Sequence, residues 1–266
     1  LESEAGKGSC FSTFGQGFGC AFSPDGATLA TCSGAGVLTL GTVHPRAAVD
    51  AIQVHDEIAY DVVWGKSSGG SPTVLTASAD RTVRLYDVHR KKLTTEFIGH
   101  QSSVKAVATA AHHPSLVLSG GRDGAVVLWD ARDHSTHRTL GTAVHARAGR
   151  SKSGRWHAPA MVFNKAHCGS DGVVHSVTAV ALLPDGAAAL SGGADGKIHR
   201  WDLRNRKSIL FHAPPIQTVE PIGARGIASF SLDETGTNLV VGAQDAVYLY
   251  RGVSLLQGLA AAPELL

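Results

Sequence analysis

The sequence is poor in the features that mark several large classes of protein. No run of about 18 apolar residues occurs, so no membrane-spanning helix is expected. The first ten residues do not place a charged segment before an apolar one, as a secretory signal does. The four cysteines form no Cys-x-x-Cys pair, which argues against a disulfide framework or a zinc site and favours a reducing compartment. The chain does not begin with methionine and Met161 is its only one, so we expect either a piece of a longer product or a chain whose start is mispredicted.

Charge and catalytic motifs are also scarce. The formal net charge is +2 and charged residues make up 17% of the chain, so overall charge does not favour nucleic-acid binding. No Gly-x-Ser-x-Gly, P-loop or His-Glu-x-x-His motif occurs. The glycine cluster from Gly15 to Gly19 precedes a predicted strand rather than a helix, which argues against a dinucleotide loop. His134 and His137 lack a neighbouring cysteine or carboxylate pattern, which favours a loop pair over a metal site. We therefore expect no catalytic residues, no metal and no cofactor.

Glycine, by contrast, is abundant, and the chain carries an internal repeat. The 31 glycines follow no Gly-X-Y period, which indicates many tight turns in a globular protein. Each copy of the repeat combines a short apolar run, a turn and a second apolar run. The copies occupy residues 31–43, 76–89, 119–132, 191–204 and 241–252.

The copies keep one register along the chain. The equivalent turn residues are Ala35, Asp80, Asp123, Asp195 and Asp245, at a spacing of about 43 residues except for one step that is about 30 residues longer. Turn glycines at a fixed distance before three of these positions support the same register. The apolar runs are short and are broken by Gly, Asp and Pro, which predicts about four antiparallel strands in each period. Such sheets must stack to bury both faces, and radial stacking gives an all-β propeller.

Five blades can be placed, at roughly 18–52, 53–97, 98–140, 173–212 and 213–251. We expect residues 1–17 to form an N-terminal segment and 18–251 to form the propeller. Residues 141–172 are predicted to be a basic loop insert, and 252–266 the start of a further blade or the C-terminal end. The family resemblance described next implies seven blades, so with five visible we expect a truncated seven-blade propeller rather than a five-blade ring.

The third copy resembles the WD-repeat family, because it contains Gly99-His100 followed by Trp129-Asp130. The resemblance implies a buried network of His100, Ser119, Asp123 and Trp129. The second copy offers His55, Thr76 and Asp80, with Tyr86 in place of the tryptophan. In the fourth copy Val173 falls at the histidine position, and in the fifth Tyr250-Arg251 replaces Trp-Asp. We expect apolar packing to dominate in those two blades.

The insert carries Arg147, Arg150, Lys152, Arg155 and Lys165. It is either a solvated insertion or a contact to an acidic partner or nucleic acid, and few aromatic residues accompany it.

Two copies end in the same WDxR pattern, Trp129-Asp130-Ala131-Arg132 and Trp201-Asp202-Leu203-Arg204. The pattern looks like the box by which WD-repeat receptors dock on the adaptor of cullin-four ubiquitin ligases. Arginine suits docking, because its planar fork makes two directed hydrogen bonds. The alternative is that each arginine only pairs with a neighbouring acid. The second copy has His89 at that position, and Arg90 is no substitute by position.

Over residues 18–251 the chain is similar to the denticleless family, through Gly-Gly-Arg-Asp-Gly with WDxR, the placement of the insert, and Trp-Asp-Leu-Arg in the next blade. The resemblance implies a nuclear, non-catalytic substrate receptor of the cullin-four RING ubiquitin ligase, acting in DNA replication, the damage response and the cell cycle. It implies the propeller adaptor as one partner and degron-bearing, clamp-bound proteins as others, with no membrane and no sequence-specific DNA binding.

The opposite face of the propeller is expected to read the substrate. Its loops hold Asp56 and Glu57, with turn residues Arg81 and Arg122. Because family degrons carry a basic residue, we expect an acidic pocket there, although ordinary solvated charges remain an alternative. A WD-repeat scaffold in another nuclear assembly, in chromatin or RNA processing, is the second functional hypothesis. A propeller enzyme is the third.

Overall fold

The computed structural model describes residues 15–43, 49–66, 71–110, 112–132, 156–157, 159–169, 171–204, 210–211, 217–219, 226–233, 235–251 and 264–265. Every helix or strand assigned within these ranges is a β-strand. In the same ranges no helix has the length and apolar character needed to cross a membrane.

The strands form five sheets. Blade 1 contains β1 (Gly17–Phe22), β2 (Thr28–Ser33), β3 (Val37–Thr42) and β4 (Val49–Gln53). Blade 2 contains β5 (Ala59–Lys66), β6 (Pro72–Ser78), β7 (Thr82–Asp87), β8 (Lys92–Ile98) and the short β12 (Trp156–His157). Blade 3 contains β9 (Val104–Ala110), β10 (His113–Gly121), β11 (Val126–Asp130), β13 (Met161–Phe163) and the short β17 (Leu210–Phe211). Blade 4 contains β14 (Val177–Leu182), β15 (Ala188–Gly193), β16 (Ile198–Asp202) and β18 (Gln217–Val219). Blade 5 contains β19 (Ile227–Leu232), β20 (Leu239–Ala243), β21 (Val247–Tyr250) and β22 (Glu264–Leu265).

The first strand of every blade lines one central cavity of about 570 Å³. Neighbouring inner strands run in the same direction: the Val107 amide donates to Asp61, and further along the Thr109 hydroxyl donates to the carbonyl of Trp64. Five mainly antiparallel sheets arranged radially around a cavity are a β-propeller with five blades in the described residues, so the predicted all-β propeller fold is confirmed. The expectation of a truncated seven-blade propeller stays a prediction.

The blades pack closely because the second strand of a blade carries a glycine where the next blade approaches. A Cβ added to Gly120 would lie 2.5 Å from the Val177 side chain, and one added to Gly192 would lie 2.5 Å from Ile227. Apolar side chains fill the rest of each blade interface, including the fully buried Leu118 and Leu190. The paired glycines of the repeat are therefore required partly by inter-blade packing.

Two rims of the propeller can be defined from backbone hydrogen bonds. At the end that we call the lower rim, the residue after the third strand donates to the beginning of the second strand or to the residue just before it, from Val88 to Pro72, Ala131 to Ser115 and Leu203 to Ala187. At the other end, the upper rim, the turn between the second and third strands contacts the loop that enters the first strand. The bond from the Arg122 amide to the Ser103 carbonyl at 2.8 Å is an example.

The structure differs from the sequence expectation in the third blade. Its fourth strand is β13, which pairs with β11 from within the expected insert 141–172. Residues 156–157 pair in parallel with β8, the outer strand of blade 2. In blade 3, β17 pairs in parallel with β13. The three-residue Met161–Phe163 strand is too short to show a period in sequence, although all three side chains are buried. Lys165 is exposed, whereas Arg147, Arg150, Lys152 and Arg155, like His134 and His137, lie outside the described residues.

The fifth blade breaks the register by one residue. Its turn is closed by a bond from the Ala243 amide to the Ala246 carbonyl, whereas blade 4 closes the longer turn from Gly193 to Lys197. Tyr250 pairs across to Leu239 as Trp201 does to Ala189, so the second strands and the aromatic positions agree. In this register Asp245 keeps the position of Asp195, and the missing residue lies after it, between the aspartate and the third strand.

Asp61 gives the inner ring one titratable contact between blades 2 and 3. Its carboxylate accepts the amides of Val62 and Val107, both at 2.9 Å. Desolvation between the inner strands nevertheless raises the pKa of Asp61 to about 6. The equivalent positions of blades 3 and 4 are Ala106 and Ala179.

The raised pKa predicts a pH-dependent stability difference between the wild type and Asp61→Asn. The unfolded carboxyl has an ordinary, lower pKa, so its protonated form stabilises the fold and this contribution is lost as the pH rises through about 6. We expect the free energy of unfolding of the variant, relative to wild type, to increase by about 2–3 kcal/mol between about pH 4 and pH 7. Chemical unfolding at several pH values measures the difference, and a flat difference curve would contradict the assignment.

Candidate functional site

A buried hydrogen-bond chain closes the upper rim of blade 3. His100 Nδ1 lies 3.0 Å from Asp123 Oδ2, and its Nε2 lies 2.8 Å from Ser119 Oγ. The indole of Trp129 donates to the same Ser119 oxygen at 2.9 Å. With the proton on Nδ1, the histidine donates to the carboxylate and accepts the serine hydroxyl, so every member has a partner.

Blade 4 contains the same chain, with His167 as its histidine. His167 lies 2.8 Å from Asp195 and 2.9 Å from Ser191, and the Trp201 indole donates to Ser191 at 2.8 Å. Val173, which the sequence placed at the histidine position, is 50% exposed, so that assignment is wrong. The loop between His167 and β14 is longer than the loop between His100 and β9, and no glycine precedes His167. Because of these two departures from the repeat, the internal alignment of the sequence did not identify His167 as the histidine of blade 4.

A second glycine in both blades leaves room for this chain. A Cβ on Gly121 would come within 2.7 Å of the His100 ring and 2.6 Å of Asp123. A Cβ on Gly193 would meet the His167 ring and Asp195 at about the same range. The repeated Ser-Gly-Gly therefore supplies a hydroxyl, a close blade contact and space for the histidine, in that order.

Blade 2 builds the chain differently. His55 contacts Asp80 and Thr76, both at 2.8 Å, but the Tyr86 hydroxyl donates instead to the carbonyl of Val54 at 3.2 Å. Burial opposes ionisation of Asp80, yet hydrogen bonds from His55 and Thr82 and the nearby Arg84 hold its pKa well below the usual range.

Blade 2 also contains a buried ion pair that the sequence analysis did not predict. Arg84 Nε donates to Glu96 at 2.8 Å, and the guanidinium lies 3.5 Å from Asp80. The side chains of Arg84 and Glu96 are 7% and 2% exposed. The sequence does carry a signal for this pair, because Arg84 and Glu96 are charged residues inside two neighbouring apolar strands, β7 and β8.

His167, Asp195 and His199 also offer ligand atoms within 4.8 Å of one another. A cation bound there would have to replace the direct contact between His167 and Asp195. Ser191 would then lose the histidine that holds it in place as the acceptor for the Trp201 indole. The geometry therefore assigns these groups to the structural chain.

At the lower rim, the two predicted arginines share one geometry. Arg132 donates to the Asp130 carboxylate from its amide at 3.0 Å, from Nε at 3.1 Å and from NH2 at 2.8 Å. Arg204 makes the matching bonds to Asp202, at 2.9, 2.9 and 2.6 Å. The arginine side chains are 67% and 74% exposed. Trp129 and Trp201 are buried inside their blades, so the polar Asp–Arg pair is the part of each motif that a partner can reach.

The four residues predicted for the substrate face lie at the upper rim. Asp56 and Glu57 occupy the exposed loop that follows His55, while Arg81 and Arg122 occupy the exposed turns of blades 2 and 3. Arg81 adopts a φ of +73°, at a position that blade 3 fills with Gly124 at +67°. The structure thus places two exposed acids and two exposed arginines on one rim.

Residues 57–222 match a family described as Nucleolar protein 10-like, N-terminal domain, a β-propeller. The chain is 30% identical to denticleless protein homolog B of Xenopus laevis and 29% identical to the denticleless protein homolog of Xenopus tropicalis, in each case over 90% of the chain and 35% of the relative. It is 25% identical to the human denticleless protein homolog over 76% of the chain and 28% of that protein. The chain therefore spans about a third of the length of these relatives.

The role of His167 can be tested against Val173. We expect His167→Ala to lower the free energy of unfolding by about 2 kcal/mol or more, because it leaves Asp195 and Ser191 without their buried partner. Val173→Ala, at an exposed position, should change it by less than about 0.5 kcal/mol. Urea unfolding of both variants measures this, and equal losses would refute the assignment.

The two aromatic replacements should respond in opposite ways to removal of a hydroxyl. Tyr86→Phe loses the bond to Val54 and should cost about 1 kcal/mol. Within the described part of the chain the buried Tyr250 hydroxyl has no hydrogen-bond partner, because Val241 stands where blade 4 has Ser191. Tyr250→Phe should therefore be neutral or stabilising by up to about 1 kcal/mol. Thermal unfolding separates these cases, and a loss for Tyr250→Phe as large as that for Tyr86→Phe would contradict the account.

Proposed function

Because the chain belongs to the denticleless family of WD-repeat β-propellers, and its residues 57–222 to the family described as Nucleolar protein 10-like, N-terminal domain, we propose that it is a substrate-recognition subunit of a cullin-four RING ubiquitin ligase. In this role it carries out no chemistry itself. It docks on the adaptor propeller of the ligase through its lower rim and presents bound proteins for ubiquitination.

The observation that supports docking is the matched pair of arginines on neighbouring blades. Each guanidinium is held in one orientation by a carboxylate and an adjacent amide bond, yet most of its surface faces solvent. Nε and NH2 of each arginine donate to its aspartate, and the remaining N–H groups of the guanidinium can donate to a partner protein. Arginine held in this way loses little conformational entropy on binding, as an interface anchor requires.

The alternative for these arginines is simple neutralisation of a neighbouring acid. An exposed ion pair contributes little to stability, at most about 1 kcal/mol. Each aspartate carboxylate already accepts a hydrogen bond from the backbone amide of the arginine, so the fold does not need the arginine side chain as a further donor. Identical presentation on two adjacent blades favours a shared partner.

The upper rim is the surface we assign to substrates. Asp56 and Glu57 are exposed acids that suit a basic degron residue, with Arg81 and Arg122 at the neighbouring turns. The proposal places the protein in the nucleus, with substrates linked to DNA replication and damage.

A second candidate is a WD-repeat scaffold of another nuclear assembly. The match of residues 57–222 to the Nucleolar protein 10-like family favours it. In that case the lower rim contacts a different protein and the ligase adaptor is not bound.

Capture of the purified ligase adaptor tests the proposal. We expect the wild-type chain to bind, and Arg132→Ala combined with Arg204→Ala to weaken binding by at least about tenfold, as loss of two interface arginines commonly does. The matched control is Arg81→Ala combined with Arg122→Ala, which removes two exposed arginines from the opposite rim and should leave binding unchanged.

Circular dichroism and thermal unfolding establish that both double variants remain folded. No capture of the wild type, or equal capture of the lower-rim variant, would exclude this docking mode.

A further inference from the structure

A third arginine takes the WDxR position in blade 2, although its sequence spacing differs. The Arg90 amide donates to Asp87 Oδ1 at 2.9 Å, and its NH1 lies 3.4 Å from Asp87 Oδ2. Asp87 ends the third strand of blade 2, as Asp130 and Asp202 end those of blades 3 and 4. The contact therefore brings Arg90 to this aspartate despite a spacing that, in the sequence interpretation, ruled it out by position.

The turn itself explains how the extra residue is absorbed. In blades 3 and 4 one residue separates the aspartate from the arginine, whereas in blade 2 both Val88 and His89 intervene. Lys91 then adopts a left-handed φ of +48°, which turns the chain back into β8. The amide and guanidinium of Arg90 thereby reach the same kind of carboxylate that a shorter spacing provides elsewhere.

Arg90 is presented as openly as the other two arginines. Its side chain is 78% exposed, while the Asp87 side chain that holds it is 4% exposed. The Val88 amide is bonded to Pro72 as Ala131 is to Ser115, so Arg90 lies on the lower rim. Three consecutive blades thus each place one guanidinium beside the carboxylate that ends the third strand, through Nε and NH2 in blades 3 and 4 and through one NH1 contact of 3.4 Å in blade 2.

We propose that Arg90 is a third docking arginine, so that the adaptor contact extends over blades 2, 3 and 4. The inference rests on the proposed function, because it assigns a further residue to the same interface. The partner surface must present carboxylates or aromatic faces at a span of three blades, which are the groups that a guanidinium fork recognises. Blade 1 has Thr42 at the position of Asp87, so the pattern does not continue to that side.

Adaptor affinity of single variants tests Arg90 separately from the WDxR pair. We expect Arg90→Ala to raise the dissociation constant by about fivefold to tenfold, in the range given by one interface arginine. Arg90→Lys should recover only part of the loss, because a lysine cannot form the fork. Titration calorimetry of the whole chain with purified adaptor measures both.

Two control variants make the result specific. His89→Ala alters the residue that occupies the WDxR position by sequence, and Lys92→Ala removes a neighbouring exposed cation. Each should change the dissociation constant by less than about twofold, since neither side chain is held by Asp87. Thermal unfolding of each variant excludes a folding defect.

Unchanged affinity for Arg90→Ala, with loss of binding for the Arg132 and Arg204 double variant, would overturn this inference and leave the proposed function standing. A larger effect from His89→Ala or Lys92→Ala than from Arg90→Ala would also overturn it. No binding by the wild type would overturn both.

Discussion

The structure depends on the hydrogen-bond chain that joins a turn aspartate, a buried histidine and a hydroxyl in each of blades 2, 3 and 4. The chain fixes the turn between the second and third strands to the loop that enters the blade. Because it is fully paired, and in blades 3 and 4 fills the space that Gly121 and Gly193 leave, it specifies one arrangement of the upper rim. Blade 5 lacks it, since Val241 replaces the serine, and its turn is shorter by one residue.

The opposite end of each blade uses a second aspartate for a different purpose. The carboxylate that ends the third strand holds an arginine outward in blades 2, 3 and 4, and the arginine adds little to the packed core. One end of the blade is thus buried and structural, whereas the other presents a cation in a fixed orientation. This division allows the exposed residues of the lower rim to vary between blades without loss of the fold.

The sequence predicted the second and third strands of the blades well because their signals are local. In blades 3 and 4 the Ser-Gly-Gly turn, the aspartate and the terminal tryptophan recur at a fixed spacing, and each has a steric or hydrogen-bonding reason. It placed the outer strands less well, since β18 belongs to blade 4 and β22 to blade 5, outside the ranges 173–212 and 213–251 expected for them. The sequence did not predict contacts that depend on loop length. His167 and Arg90 both reach their expected carboxylates from the wrong position in the linear alignment, because a longer loop brings the side chain back. The short Met161–Phe163 strand and the Arg84–Glu96 pair were missed for another reason, since pairing across strands has no fixed sequence spacing.

Hydrogen–deuterium exchange of the chain with and without the ligase adaptor tests the central claim most directly, since it shows which end of the propeller is covered. The account predicts new protection around 87–91, 130–132 and 202–204, with no change around 78–81 and 121–124. Protection confined to the upper-rim turns, with the three arginine turns unchanged, would contradict it.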